Sequence, residues 1–181
     1  FGDSNPDFVR GFGNYISTGG KRRRLAAFLN VAGILSVIHT RGLVYCDLSD
    51  KNMYISNAKD RNVVWMIDVD NINYITVTSK RSGIFSPGYV APEVLKGKGN
   101  TFYSDVFSFA IALFWNLTGQ HPFVGPQLEK KFEEEDFLPE TEETFACGCD
   151  VEWIRDEENE ENCSDTPVPY ELLVGEKLHK C

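Results

Sequence analysis

The sequence predicts a mainly helical α+β domain that carries a small β-hairpin. Two observations predict the helices: apolar residues recur at three- and four-residue steps between Lys21 and Thr40, and residues 104–117 form a mostly apolar run of helical length. A third observation predicts the hairpin, because two short strand-like segments flank a run of Asn, Asp and small residues. With 181 residues, 42% of them hydrophobic, the chain is long enough to bury one core.

The first half of the predicted fold starts with an irregular segment, residues 1–20, rich in Gly, Asn and Ser. A helix follows, ending before Gly42, and His39 in its last turn suits the helix dipole without any expected catalytic role. The apolar stripe expected to be buried on this helix consists of Leu25, Phe28, Leu29, Ala32, Leu35 and Ile38. The segment Gly42–Tyr45 is strand-like, and Met53–Ser56 and Val63–Ile67 form the predicted hairpin.

The second half begins with residues 71–90, which show no periodicity and are predicted to be a long loop. The apolar helix 104–117 ends at Thr118-Gly119, and the core of the domain is expected to span residues 21–124. Residues 125–165 are predicted to be an acidic, partly disordered insertion. Residues 166–181 are predicted to be a short helical segment cut off before its end.

Charge is divided unevenly along the chain. The net charge is −9, but residues 129–165 hold 16 of the 27 acidic and three of the 18 basic residues, a net charge of −13 that leaves +4 for the remainder. A mildly cationic body is compatible with a phosphate-bearing ligand, and no nucleic-acid partner is expected. The longest apolar stretch, residues 107–115, is too short to cross a membrane, so no membrane partner is expected.

The five cysteines are odd in number and scattered, which favours reduced thiols and a cytoplasmic location. A zinc site is the weaker alternative, because the spacing matches no recognised zinc motif. Its candidate ligands are Cys147, Cys149, Cys163, His179 and Cys181.

Two acidic motifs contain the candidate catalytic and metal-binding residues. In Asp47-Leu48-Ser49-Asp50-Lys51-Asn52 an Asp and an Asn are separated by four residues directly after a strand-like segment, and Ile67-Asp68-Val69-Asp70 ends a second apolar run. An Asp can accept a hydroxyl proton, and Asn and Asp oxygens are hard ligands of the type that Mg²⁺ prefers. The alternative is that Asp47 and Asn52 only stabilise a turn, a common role for these residues in loops.

Five segments in order resemble landmarks of the C-terminal lobe of the protein kinase family, over about residues 21–123. They are Tyr45-Cys46-Asp47, Asp68-Val69-Asp70, Ser86-Pro87-Gly88-Tyr89-Val90-Ala91-Pro92-Glu93, Ser104-Asp105-Val106-Phe107-Ser108-Phe109 and Thr118-Gly119-Gln120-His121-Pro122-Phe123. The resemblance implies a small hairpin that carries the catalytic and metal-binding loops of such a lobe. It also implies ATP and Mg²⁺ as cofactors and a protein substrate with a Ser or Thr acceptor.

The resemblance assigns a catalytic role to three residues: Asp47 would deprotonate the substrate hydroxyl, Lys51 would reach the transferred phosphate, and Ser86 would contact Asp47 from the substrate-binding loop. Asn52 and Asp68 would hold Mg²⁺.

The resemblance implies further roles around these residues. Tyr54 would lie under the adenine, and Asp70 would bind a second metal ion or stiffen its turn. Glu93 would anchor the substrate loop through an ion pair with a later Arg. Asp105 would hydrogen-bond backbone amides of the catalytic loop and hold it rigid.

The sequence also departs from the family pattern. Tyr45 and Cys46 replace the usual His and Arg, and Ser49 replaces the usual Lys. No Gly-rich loop followed by a Lys-bearing strand is present, so the chain is expected to need the N-terminal lobe of its parent and to be inactive alone. The expected function is a Ser/Thr protein kinase. The alternatives are a pseudokinase scaffold and a small-molecule phosphotransferase.

Overall fold

The computed structural model describes residues 6–58, 61–75, 85–132, 147–148, 151–156, 158, 160–164 and 168. Within them the helices and strands are α1 (Pro6–Ser17), α2 (Gly20–Thr40), β1 (Leu43–Val44), β2 (Met53–Ile55), β3 (Val64–Met66), β4 (Asn73–Tyr74), α3 (Pro92–Leu95), α4 (Phe102–Thr118) and α5 (Pro126–Phe132). Three 3₁₀ turns accompany them, at Asp50–Asn52, Val69–Asn71 and Glu160–Asn162. The predicted helical segment 166–181 lies outside the described residues except for Val168.

The prediction of an irregular segment over residues 1–20 was wrong, because α1 occupies most of it. Gly11 and Gly13 lower the intrinsic helix propensity of this stretch, and that is what made it appear irregular. Packing overrides the propensity: Tyr15 is buried, and Phe12 and Leu117 pack against the same cluster.

Helix α2 is the central scaffold of the described structure. It begins after Gly19, whose φ of +100° needs a glycine, and the chain turns away at Gly42, with a φ of +73°. Its predicted buried stripe was partly wrong, since Leu29 is 74% exposed and Leu25 is 40% exposed. The buried positions are Gly20, Ala27, Phe28, Val31 and Leu35.

The strands form two antiparallel pairs. β2 and β3 make the predicted hairpin, with Met53 opposite Met66 and Tyr54 opposite Trp65. β1 pairs with β4, a strand that lies inside the segment predicted to be a loop. Two residues of strand carry no recognisable alternation, so the sequence alone does not indicate β4.

Helix α4 packs against α2 and carries polar residues into the interior. It starts with a capping box in which Thr101 accepts from the N–H of Ser104 and the Ser104 hydroxyl accepts from the N–H of Thr101. Its buried positions are Ser104, Asp105, Ser108, Ile111, Ala112 and Thr118. The helix is buried on one side only, since Val106 is 54% exposed and Tyr103 is 81% exposed. The buried side brings Asp105 beneath the segment that follows β1.

The acidic insertion, predicted to be partly disordered over residues 125–165, contains packed residues within its described part. Asn162 is fully buried, and its Nδ2 donates to the carbonyls of Phe123 at 3.2 Å and Glu152 at 2.6 Å. The N–H of Ile154 donates to the carbonyl of Pro122 at 2.9 Å. These bonds attach residues 151–164 to the turn before α5. Within the described ranges, no helix combines the length and apolar character that a membrane span requires.

Candidate active site

The predicted catalytic loop, residues 45–52, runs from the end of β1 to the start of β2. Asp47 is buried, and its carboxylate Oδ2 accepts a hydrogen bond from Asn52 Nδ2 at 3.2 Å. The same Nδ2 donates to the backbone carbonyl of Asp47 at 2.9 Å. The second carboxylate oxygen, Asp47 Oδ1, is buried and has no hydrogen-bond partner. A buried acceptor without a donor is costly, so this atom is the feature of the loop that needs an explanation.

Asn52 connects this loop to the second acidic motif. Its backbone carbonyl accepts the N–H of Ile67 at 3.0 Å, which extends the β2–β3 pairing by one bond and fixes Asp68 just beyond it. Asp68 is exposed and adopts a φ of +60°. This left-handed conformation costs energy for a residue with a Cβ, and such strain recurs at functional sites. The structure thus brings together the loops that hold Asp47, Asn52 and Asp68.

Asp105 on α4 braces the start of the catalytic loop. Its Oδ2 accepts the N–H of Tyr45 at 2.7 Å and its Oδ1 accepts the N–H of Cys46 at 3.0 Å. His39 Nε2 lies 2.9 Å from the same Oδ2. Cys46 has a φ of +74°, so the carboxylate holds a strained backbone in place. Sequence reasoning assigned His39 to the helix dipole and missed this contact.

The environment of Asp105 has opposing effects on its pKa. Burial raises the pKa of this carboxyl group, and the hydrogen bonds from His39, Tyr45 and Cys46 lower it, with burial the larger effect. The contacts to three donors explain how a carboxylate that is 1% exposed is accommodated.

Tyr45 provides a second connection between the two acidic motifs. Its hydroxyl donates to the carbonyl of Ile67, the residue before Asp68. Burial, together with the nearby carboxylates of Asp47, Asp68 and Asp105, raises the pKa of Tyr45 to about 12. The phenol is therefore neutral and can donate this bond at physiological pH.

The predicted substrate loop, residues 86–91, contacts the predicted catalytic loop in a way the sequence did not predict. The Ser86 hydroxyl donates to Ser49 Oγ at 3.1 Å, and no described hydrogen bond joins Ser86 to Asp47, the residue it was expected to contact. Ser49 is shorter than the Lys for which it substitutes and is fully buried, so its hydroxyl, rather than the Asp47 carboxylate, is the hydrogen-bond partner of Ser86. Ser86 and Asp47 still line one small cavity of about 10 Å³.

Residues 88 and 89 anchor the substrate loop to α4 and the turn after it. His121 Nδ1 accepts the N–H of Phe123 at 3.2 Å, so its Nε2–H donates to the carbonyl of Gly88 at 2.7 Å. Burial lowers the pKa of His121, which favours this neutral form. The Tyr89 ring stacks on Trp115 with ring centres 5.5 Å apart, and its carbonyl accepts from Ser108 Oγ at 2.7 Å.

Four of the predicted site residues are not joined to Asp47 by any described contact. Lys51 and Asp70 are exposed on their 3₁₀ turns, and Tyr54 is exposed on β2. Glu93 lies in α3 and forms no ion pair with a described residue. The expected anchoring role of Glu93 therefore has no support in the described part of the chain.

Three of the candidate zinc ligands, Cys149, His179 and Cys181, lie outside the described residues. Cys46 and Cys163 are free thiols. The described ranges contain no group of three or more side chains able to share a metal ion.

The structure thus has a braced Asp–Asn loop beside a second Asp, on a domain of helices with short antiparallel strand pairs, as the order of acidic motifs in the sequence predicted. The model of the protein kinase domain matches residues 17–167 of this chain. The chain belongs to the protein kinase family.

Individual relatives agree with this family. The chain is 34% identical over 98 residues to the "Probable serine/threonine-protein kinase 2" of Plasmodium falciparum, which covers 54% of this chain and 19% of that protein. It is 32% identical over 87 residues to the human "Serine/threonine-protein kinase D3", covering 48% of this chain and 10% of that protein. It is 33% identical over 90 residues to the "Serine/threonine-protein kinase dkf-2" of Caenorhabditis briggsae, covering 49% and 8%. The chain thus spans a fifth or less of the length of these curated relatives.

Proposed function

We propose that this chain is the C-terminal lobe of a Ser/Thr protein kinase that transfers the γ-phosphate of ATP to a protein hydroxyl. The observation that carries the proposal is that the two carboxylate oxygens of Asp47 have different environments. Asn52 holds Asp47 Oδ2, whereas Oδ1 is buried without a donor. A substrate Ser or Thr hydroxyl is a donor that satisfies this atom, and it would be oriented there for proton transfer.

In the proposed step, Asp47 accepts the proton of the substrate hydroxyl as the hydroxyl oxygen attacks the γ-phosphorus. The bond from that phosphorus to the bridging oxygen breaks, and ADP leaves. Asp105 contributes by fixing the amides of Tyr45 and Cys46, so that Asp47 points in one direction before substrate arrives.

The residues around Asp47 suit a divalent cation. Asp68 is an exposed carboxylate, and the backbone bond from the Ile67 N–H to the Asn52 carbonyl, which joins their two segments, supports a shared role for the oxygen atoms of both side chains. We propose that Asn52 and Asp68 hold Mg²⁺, with Asp70 as a further carboxylate on the same turn. The ion would neutralise charge on the phosphates. Lys51 is proposed to reach the phosphate and Tyr54 to contact the adenine, since both side chains are exposed.

The metal assignment is tested by measuring the binding of an ATP analogue by calorimetry, with and without Mg²⁺. The Asp68→Asn and Asn52→Ala variants should each lose most of the Mg²⁺-dependent affinity, and the matched surface variant Glu158→Gln should retain it. Equal Mg²⁺ dependence in all four proteins would remove both residues from the metal site.

A scaffold function is the second candidate, and the buried Ser49 favours it. Its hydroxyl is engaged with Ser86, so no cation occupies this position of the loop. We further propose that transfer needs an N-terminal lobe from the parent protein, because no Gly-rich loop with its Lys-bearing strand is found in this sequence. Phosphoamino-acid analysis of products made by the intact parent distinguishes Ser/Thr transfer from small-molecule transfer and from a scaffold without activity.

A further inference from the structure

The predicted substrate loop begins with a tight turn, residues 86–89. Pro87 at the second position and Gly88 at the third, with a φ of +80°, are the pattern of a type II turn. The N–H of Tyr89 closes the turn by donating to the carbonyl of Ser86 at 3.1 Å. The local conformation of the chain is therefore set, and other contacts fix where the turn lies on the domain.

Both ends of this turn contact the predicted catalytic loop. The Ser86 hydroxyl donates to Ser49 Oγ, and the Tyr89 side chain hydrogen-bonds Asp50. Burial and the bond to Asp50 raise the pKa of Tyr89, so its phenol is neutral and can donate at physiological pH. Ser49 and Asp50 follow Asp47 by two and three residues. The position of the turn therefore decides how the two predicted loops face each other.

His121 supplies the hydrogen bond that joins this turn to the segment after α4. The His121 residue is 3% exposed, and its Nε2 lies 2.7 Å from the carbonyl oxygen of Gly88. The N–H of Phe123, at 3.2 Å from Nδ1, can only donate, so Nδ1 accepts and Nε2 carries the proton that Gly88 receives. One backbone amide thereby fixes the tautomer that the bond to the turn requires.

The surroundings of the imidazole confine it to this orientation. The Trp115 ring lies edge-on to it with ring centres 5.1 Å apart, and the same Trp115 stacks on Tyr89. A Cβ built on Gly88 would lie 3.7 Å from His121 Nε2, so the turn approaches the ring closely. Burial lowers the pKa of His121, which favours the neutral form that can accept at one nitrogen and donate at the other.

We propose, on the basis of the protein kinase function proposed above, that His121 is a positioning residue for the protein substrate. Its Nε2–H bond to Gly88 holds the turn where a peptide with the acceptor Ser or Thr docks beside Asp47. In this role His121 acts through the loop and not on the nucleotide. Without the bond the turn leaves its docking position part of the time, and peptide binding restores it, so the loss falls on the peptide KM.

Two substitutions separate the bonds of the two ring nitrogens. His121→Gln can keep an amide N–H near the position of Nε2 and so retain the donor to Gly88. His121→Asn can keep an amide oxygen near the position of Nδ1, which retains the acceptor for Phe123 and removes the donor to Gly88. Gln120→Ala is the matched control, because the Gln120 side chain bonds the Val124 carbonyl of its own segment and not the turn.

The variants are compared in the intact parent protein, with ATP and a degenerate peptide mixture that contains one fixed serine. His121→Asn should raise the apparent peptide KM by about tenfold, the effect of leaving one buried carbonyl without its donor, with kcat and the KM for ATP changed by less than about twofold. His121→Gln should keep the peptide KM of the wild type, and Gln120→Ala should lower the melting temperature without raising this KM. An unchanged peptide KM in His121→Asn, a loss confined to kcat, or an equal rise in His121→Gln or Gln120→Ala would overturn the proposal.

Two measurements on the chain itself do not depend on phosphate transfer. Nitrogen NMR of the labelled wild-type histidines should show His121 as the Nε2–H tautomer, and the Nδ1–H tautomer would overturn the proposal because no donor would then face Gly88. Hydrogen–deuterium exchange of residues 86–91 should be about tenfold faster in His121→Asn than in the wild type or His121→Gln, with exchange in α2 unchanged. Equal exchange of residues 86–91 in all three proteins would also overturn it.

These readouts separate the inference from the function on which it rests. Faster loop exchange in His121→Asn, with no transfer by any of the proteins, would retain the ordering of the loop by His121 and reject the kinase function. Transfer with the same peptide KM in every protein would retain the kinase and reject the positioning role.

Discussion

Asp105 Oδ1 accepts the backbone N–H of Cys46 at 3.0 Å, and Cys46 is held at a φ of +74°. The bond joins the interior of α4 to a strained residue directly before Asp47. Strained backbone persists only where surrounding contacts compensate for it. The geometry of the proposed base therefore depends on a carboxylate that does not touch the substrate.

Replacing Asp105 with Ala should lower the free energy of unfolding by about 3 kcal/mol, because the amides of Tyr45 and Cys46 and the ring of His39 lose their acceptor. Asp105→Asn should lose less, since its amide oxygen can still accept one of these bonds. Urea denaturation followed by circular dichroism measures both. If Asp105→Ala unfolds at the same urea concentration as the wild type, the brace contributes no stability.

Removing the Tyr45 hydroxyl should uncouple the two acidic motifs. Tyr45→Phe leaves the Ile67 carbonyl without this donor, which should cost about 1 kcal/mol of stability. It should also weaken Mg²⁺-dependent nucleotide binding, because Asp68 follows Ile67. Tyr103→Phe is the control, since Tyr103 is 81% exposed. Matching losses of stability in the two variants would contradict a specific role for the Tyr45 hydroxyl.

Gly125 is required by the packing of the acidic segment. A Cβ at this position would lie 2.5 Å from the backbone oxygen of Asn162, so Gly125→Ala should destabilise the chain by about 2 kcal/mol. Gly33→Ala on α2 meets no atom within 4 Å and should instead raise stability by about 0.5–1 kcal/mol. Thermal unfolding of the pair measures the contrast. A Gly125→Ala protein as stable as the wild type would mean that Asn162 does not pack there.

The Cys46 thiol should react slowly at neutral pH. Burial and the charge of Asp105 raise its pKa from 9.0 to about 11, so little thiolate forms at pH 8. Exposed Cys163 should be alkylated faster by iodoacetamide, as measured by mass spectrometry of the native chain. Because the folded-state pKa is the higher one, the stability contribution of this thiol is complete below about pH 9 and is lost as pH rises through 11. Faster alkylation of Cys46 than of Cys163 at pH 8 would contradict the assignment.

The parts of the fold that the sequence could predict are those with long or ordered patterns. The periodicity of residues 21–40 indicated α2, and the Asn/Asp turn between two strand-like runs indicated the β2–β3 hairpin. The helix α1 and the strand β4 were missed. Glycines lower the helix propensity of α1, and β4 has only two residues, which is too short for a recognisable alternation. In both, packing against a distant element decides the structure.

At the site, motif spacing indicated Asp47, Asn52, Asp68 and Asp105, since each lies in an ordered series of landmarks. It could not indicate His39, because the contact with Asp105 joins residues 66 positions apart through the packing of α2 on α4. Nor could it indicate that Ser86 would meet Ser49, which depends on how closely two loops approach.

The most direct measurement of the central claim is phosphate transfer from labelled ATP by the intact parent protein with Mg²⁺, compared with its Asp47→Asn variant. Nucleotide binding by both proteins, measured in parallel, controls for folding. The account predicts labelled Ser or Thr from the wild type, and loss of at least 99% of that label in Asp47→Asn with nucleotide binding retained, a rate loss of the hundredfold order expected for removal of a general base. Equal labelling by both proteins would remove Asp47 from the mechanism, and no labelling by a folded, nucleotide-binding wild type would contradict the kinase function.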